Sequence, residues 1–151
     1  MRTHPITRDR VGALQAGYDR SPYKDNVMPA TAKDEYTLIM AKLNAFLEPQ
    51  RVTWDYKDTD HSLAADYARA IAAYRQNQVE DSLKLMDSLL SRQPDNPYFL
   101  ELKGQMLADY GRVEPAIAAY KRAIDLQGNA PLIRIAYANA LIETASSGNT
   151  V

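Results

Sequence analysis

The fold is decided by residues 97–130, PYFLELKGQMLADYGRVEPAIAAYKRAIDLQGNA, because residues 63–96 carry the same pattern one unit earlier. Ala70, Gly104 and Ala138 follow one another at a spacing of 34 residues. The same offset relates four further pairs: Val79 and Val113, Glu80 and Glu114, Leu83 and Ile117, and Leu90 and Ile124. A fixed period of this length is typical of stacked helical hairpins, and it favours protein binding over catalysis.

The bulk composition is that of an ordinary folded domain. The chain has 151 residues, of which 46% are hydrophobic and 25% are charged, and its formal net charge is −1. This balance gives no general attraction to nucleic acid. Cysteine is absent, which excludes disulfides and thiolate metal sites. We expect no membrane span, because no run approaches about 18 apolar residues, and we see no export signal in this sequence.

The pattern divides the chain into four regions. Residues 1–30 are predicted to hold a helix and a loop, residues 31–62 a capping helix and a connector, residues 63–144 the repeats, and residues 145–151 a tail in which residues 146–149 form a turn. The array itself is predicted to consist of repeats 63–96 and 97–130 and a half repeat, 131–144. The predicted fold is therefore all-α, a right-handed solenoid of helical hairpins preceded by two additional helices.

Particular residues mark the turns and the packing. Asn77 and Gly111 occupy equivalent positions inside the two hairpins, and both residue types tolerate the left-handed backbone that such a turn needs. The capping helix carries apolar residues that follow a helical spacing: Tyr36, Ile39, Leu43 and Phe46. We expect this stripe to bury against the first repeat, and Trp54 and Tyr56 to anchor the connector.

In these turn and packing residues the hairpins resemble the tetratricopeptide repeat. That family favours small residues where the helices cross, an aromatic residue on the second helix and proline at the repeat end. The second unit fits through Leu100, Gly104, Leu107, Ala116, Tyr120 and Ala123. The first unit fits less well, through Ala70, Ala73, Ser82, Met86, Leu89 and Pro94. Asp66 stands where the family prefers a large apolar residue, and Gly128 replaces the terminal proline.

A larger resemblance covers nearly the whole chain. The segment THPITRDRV, residues 3–11, is similar to the Thr-His-Pro…Arg-Ile segment that ends the catalytic domain of HtpX-like zinc metallopeptidases. The order of helices that follows, with YARA at 67–70 and QPDNPY at 93–98, resembles the C-terminal half of their BepA-like branch. The resemblance implies a periplasmic parent protein, a zinc-dependent endopeptidase with a role in outer-membrane protein quality control.

The chemistry of that parent is not expected in this chain. Zinc peptidases of this kind need an H-E-x-x-H helix, with two histidine ligands and a glutamate that activates water. The sequence has no such motif, and its only histidines are His4 and His61. We therefore predict that the chain is not an enzyme and holds no cofactor, whereas its parent holds zinc. By resemblance His4 approaches the zinc cleft of the parent; the alternative is an exposed loop histidine.

The first helices of tetratricopeptide hairpins line a concave face, which we predict to be a groove for a protein or peptide ligand. By position in the repeat, nine residues line it: Tyr67, Ile71, Tyr74, Tyr98, Glu101, Gln105, Ile135, Asn139 and Ile142. The alternative for some of them is packing between repeats. Glu101 and Asp109 would repel a ligand carboxylate, so a clamp for a chain terminus is not expected in this groove.

Two other functions stay open on the sequence alone. One is a stand-alone scaffold without a protease parent. The other is self-association through residues 131–144, where five apolar or small residues form two faces: Leu132, Ile135, Ala138, Leu141 and Ile142. Only one of those faces can pack on the second repeat, and exposing the other is unfavourable.

Overall fold

The computed structural model describes residues 8–27 and 29–147, and within them it contains helices and no strand. The prediction of an all-α fold is confirmed. The chain divides into two compact units, Met1–Asp34 and Glu35–Val151. In the first unit, helix α1 spans Arg8–Asp19. The Tyr18 hydroxyl donates to the carbonyl oxygen of Lys24 at 2.8 Å and so ties the chain beyond the helix to its last turn.

Helix α2 spans Ala30–Leu47, and its residues from Glu35 onward belong to the second unit. A 3-10 turn at Pro49–Arg51 and the short helix α3, Val52–Asp55, form the connector. The repeat helices are α4 (Leu63–Arg75), α5 (Val79–Arg92), α6 (Pro97–Asp109), α7 (Val113–Leu126) and α8 (Pro131–Ser147). Helices α4, α6 and α8 begin at residues 63, 97 and 131, which are the first residues of the predicted repeats.

Helix α8 continues past its predicted end at residue 144 and includes Ser146 and Ser147, so the turn predicted at residues 146–149 is wrong at these two residues. The hydroxyl groups of Thr144 and Ser146 explain the difference. They donate to the carbonyl oxygens four residues earlier, of Ala140 and Ile142, at 3.1 and 2.8 Å. Serine and threonine that bond back in this way fit inside a helix instead of ending it.

Local side chains set the starts and turns of the hairpins. Ser62 caps α4 by accepting from the Ala65 amide at 3.2 Å. Asn96 caps α6 by accepting from the amides of Tyr98 and Phe99, directly before Pro97 at the first helical position. The turns inside the hairpins have positive φ at Asn77 (58°) and Gly111 (72°). The left-handed backbone predicted at these two residues is confirmed.

Small residues let the paired helices approach closely. A Cβ atom built on Gly104 would lie 2.8 Å from the Cδ1 and Cε1 atoms of Tyr120, so only glycine fits against this ring. One repeat earlier the same positions hold Ala70 and Met86, and both are fully buried. One repeat later Ala138 is exposed, because no described residue packs over it.

The core is continuous from α2 to α8. Its largest fully buried apolar side chains are those of Phe99, Ile71, Met86, Leu89, Leu102 and Met106. Burying each such side chain stabilises the fold by roughly 1.5–3 kcal/mol relative to exposure. The described hairpins are therefore held mainly by apolar packing between helices.

Asp66, which departs from the family pattern, joins the two helices of the first hairpin. Its two carboxylate oxygens accept from Arg69 and from Arg92, each at 2.9 Å. Arg69 also donates to the carbonyl oxygens of Asp60 (2.7 Å) and Lys57 (2.6 Å). Asp66 thus links α5 to α4 directly through Arg92. It links the connector to α4 indirectly, through Arg69.

The face of α2 that packs is not the predicted one. Ala41 and Ala45 are fully buried in the core, whereas Tyr36, Ile39 and Leu43 are exposed. Of the predicted stripe only Phe46 packs, with its ring edge-on to Tyr74 at a centroid distance of 6.2 Å. The two alanines are covered completely because a small side chain fits into a close-packed core without a clash.

The two connector aromatics differ. Tyr56 packs against the core as predicted, and burial raises the pKa of its phenol. Trp54 is 86% exposed, so its predicted anchoring role is wrong. It lies in the single turn of α3, whose one buried residue is Val52.

Replacing Gly104 with alanine tests the close contact in the second hairpin. Overpacking of this kind costs about 1–3 kcal/mol, against a gain of roughly 1 kcal/mol from the better helix propensity of alanine. We expect Gly104→Ala to lower the free energy of unfolding measured in urea.

The first hairpin supplies the matched control. Gly104→Ala combined with Tyr120→Met reproduces the Ala70 and Met86 pair, and the flexible methionine should recover much of the lost stability. A single Gly104→Ala variant at least as stable as the unmodified chain would show that the ring does not limit helix approach.

Candidate functional site

The predicted groove residues lie on α4, α6 and α8, and the structure separates them by accessibility. Two are buried, Tyr67 and Ile71. Three are half-buried, Tyr74, Glu101 and Gln105. Four are exposed, Tyr98, Ile135, Asn139 and Ile142. His4, the residue placed near a zinc cleft by resemblance, lies outside the described residues.

Tyr67 and Ile71 do not line a groove in this structure, which corrects the prediction for both. Their side chains share one core cluster with Ala41 and Ala45 of α2. The Tyr67 ring packs on Phe99 with centroids 4.9 Å apart. Because it is 2% exposed, burial raises its pKa well above the usual range. Its hydroxyl has no hydrogen-bond partner among the described residues.

Tyr74 is positioned by two ring contacts and two hydrogen bonds. Its ring lies edge-on to Phe46 and, at 5.8 Å, to Tyr110. Its hydroxyl donates to the carboxylate of Asp109, and the Tyr74 hydroxyl oxygen accepts from Gln105 Nε2 at 3.4 Å. Burial and the neighbouring Asp109 carboxylate raise the pKa of Tyr74. Tyr74 is therefore a structural link between α4 and α6.

Helix α2 covers the part of the predicted surface that α4 forms. Phe46 contacts Tyr74, and Lys42 Nζ lies 3.4 Å from Glu101 Oε2 on α6. The side chains of this ion pair are partly shielded from solvent. The helix predicted as a cap at the front of the array thus also reaches the side of the first helices.

The predicted groove residues that stay accessible lie on α6 and α8, which are equivalent helices of adjacent repeats. Tyr98 and Leu132, Glu101 and Ile135, and Gln105 and Asn139 are related by 34 residues and so share one side of the array. We call this set, together with Ile142, the α6/α8 surface. Tyr98 is 55% exposed, Ile135 58% and Ile142 63%. Gln127 Nε2 donates to the Tyr98 hydroxyl at 3.3 Å, which orients the exposed ring.

Leu132 was not among the predicted groove residues, although it is 79% exposed. The offset of 34 residues from Tyr98 was enough to identify Leu132 as a residue of the same surface. The α6/α8 surface therefore combines one aromatic and three large aliphatic side chains with two amides and one paired carboxylate. This chemistry suits the binding of apolar side chains from a protein ligand.

The described residues offer no metal site. They contain no group of three or more His, Cys, Asp and Glu side chains that could hold a metal ion. Among the same residues, no helix is both long enough and apolar enough to cross a bilayer.

The tetratricopeptide repeat family matches residues 67–131, which include most of α4 and all of α5, α6 and α7. This confirms the fold predicted from the 34-residue period. Tetratricopeptide repeats are protein-interaction motifs, so a protein-binding role follows for this part of the chain.

Beyond the repeat itself, the chain is similar to beta-barrel assembly-enhancing proteases. It is 30% identical to that of Yersinia pestis over 81 residues, which are 54% of this chain and 17% of the relative. It is 29% identical to that of Escherichia coli K12 over 90 residues, 60% of this chain and 18% of the relative. The chain thus corresponds to less than a fifth of these relatives. No solved structure matches it significantly.

Tyr67→Phe tests the corrected position of Tyr67. A buried hydroxyl without a partner is unfavourable, so its removal should leave the free energy of unfolding unchanged or raise it by about 1 kcal/mol. The matched control is Tyr74→Phe, which loses a hydrogen bond to a carboxylate and should be destabilising by about 1.5–3 kcal/mol. Urea unfolding of both variants measures the difference. Equal losses would show that the Tyr67 hydroxyl is bonded.

Proposed function

We propose that the chain is the non-catalytic, protein-holding region of a periplasmic, zinc-dependent metallopeptidase. In this proposal the α6/α8 surface binds substrate or partner proteins during quality control of outer-membrane proteins. The observation that carries it is the row of exposed apolar side chains, Tyr98, Leu132, Ile135 and Ile142, on adjacent tetratricopeptide repeats. The similarity to beta-barrel assembly-enhancing proteases supports the choice of parent and of location.

Zinc does not fit the described residues, since no suitable group of ligands exists among them. In the proposal the ion is held by a part of the parent outside the described residues. No catalytic step is therefore assigned to this chain. Its contribution is to bind a polypeptide and hold it, which raises the effective concentration of that polypeptide at the peptidase.

The probe for this function is an unfolded outer-membrane β-barrel polypeptide, diluted from urea and presented to the immobilised chain. Ile135→Asp places a charge in the middle of the α6/α8 surface. Because Ile135 is exposed, the fold should survive, while the dissociation constant should rise by about fivefold or more. Surface plasmon resonance measures the change, with circular dichroism to confirm folding.

Leu43→Asp is the matched control, because Leu43 is also an exposed aliphatic residue but lies on α2, outside the α6/α8 surface. It should bind like the unmodified chain. If Ile135→Asp also binds like the unmodified chain, the α6/α8 surface is not where the polypeptide is held.

Self-association is a second candidate, favoured by the exposed apolar residues of α8, Leu132, Ile135, Leu141 and Ile142. Two copies could cover these faces against each other. Sedimentation velocity over a range of protein concentrations tests it, and a dimer that Ile135→Asp dissociates would support it. A monomer at every concentration would leave α8 available to other proteins.

A further inference from the structure

A second surface lies between α5 and α7, which are equivalent helices of the two hairpins. The space between them forms an open cleft of about 610 Å³. Helix α6 contributes Leu100 and Leu107 to its floor, and α5 contributes Leu83. These three leucines are nearly buried, so the floor is apolar and fixed by the core. The small side chains of Ala118 and Ala119 on α7 leave the cleft wide.

The rim of the cleft is cationic. Four lysine and arginine side chains line it: Lys84, Lys103, Arg112 and Arg122. Only two carboxylates do so, those of Glu80 and Asp87. The whole chain has a formal net charge of −1, so this excess of positive charge is local to the cleft. The α6/α8 surface, whose single carboxylate is that of Glu101, has no comparable feature.

The cationic groups remain available to a ligand. Lys103 lies 2.5 Å from Asp87, and Arg112 pairs with Glu80 across the two hairpins, but both carboxylates are largely exposed. Exposed pairs of this kind are weak and are easily exchanged. Lys84 has no ion-pair partner among the described residues. Arg122 is paired only with Asp95, at 2.9 Å, where both side chains are more than half exposed.

We propose that the cleft between α5 and α7 binds an extended acidic peptide segment that alternates apolar side chains with carboxylates. Its apolar side chains would pack on the floor formed by Leu83, Leu100 and Leu107. Its carboxylates would pair with Lys84 on one wall and Arg122 on the other. An extended chain fits because its side chains alternate in direction, so apolar groups face the floor while the charged groups reach the rim.

The test uses the complete chain and a fluorescein-labelled peptide of alternating aspartate and leucine with an amidated C-terminus. Fluorescence anisotropy should show binding that weakens as salt is added. The double variant Lys84→Glu and Arg122→Glu reverses charge on both walls and should raise the dissociation constant by about tenfold or more. Both residues are exposed, so the variant should fold.

Lys121→Glu is the matched control, because Lys121 is exposed on α7 beside Arg122 but does not line the cleft. It should bind the peptide nearly as well as the unmodified chain, and a peptide of alternating lysine and leucine should not bind. The proposal is overturned by absent binding at millimolar peptide, by equal losses in Lys121→Glu and the double variant, or by binding that Ile135→Asp abolishes. The last result would place the peptide on the α6/α8 surface instead.

Discussion

The contact between the Tyr120 ring and the backbone at Gly104 determines how closely α6 and α7 can pack. A rigid aromatic ring leaves no room for a Cβ atom, so the second hairpin needs glycine at this crossing. The first hairpin reaches the same arrangement with Ala70 and Met86, because a flexible thioether can move aside for a methyl group. Since both pairs keep the 34-residue register, the side chains that follow them are presented in equivalent rows on successive repeats.

The packing of α2 against the first helices has an equally direct consequence for function. Ala41 and Ala45 of α2 are buried in the same core cluster as Tyr67 and Ile71, and Phe46 packs edge-on to Tyr74. The ion pair between Lys42 and Glu101 extends the contact to α6. Ligand binding on this side of the array is therefore limited to the later helices, where Tyr98 and the aliphatic residues of α8 remain exposed.

The hairpins were predictable from sequence because they follow rules that act over short distances or at a fixed period. Asn77 and Gly111 adopt positive φ as their residue types suggested, and α6 and α8 begin at Pro97 and Pro131. The burial of Tyr67 was not predictable in this way, because it depends on side-chain packing between helices, such as the contact with Phe99 of α6.

The wrong face of α2 has a similar cause. Periodicity marked the larger side chains, such as Ile39, whereas close packing selected the alanines. The positions of the exposed groove residues were predictable from register, and Leu132 could have been found by the same offset. The cleft between α5 and α7 depends on the distance between the two folded hairpins, which cannot be predicted from the sequence pattern.

The two candidate surfaces use opposite sides of α6. Tyr98, Glu101 and Gln105 are each two residues away from a cleft residue, Leu100, Lys103 and Leu107 respectively. Two residues correspond to about 200° around an α-helix. A protein on the α6/α8 surface and an acidic peptide in the cleft would therefore contact opposite faces of the same helix. Neither ligand would need to displace the other, because the core holds α6 in place between them.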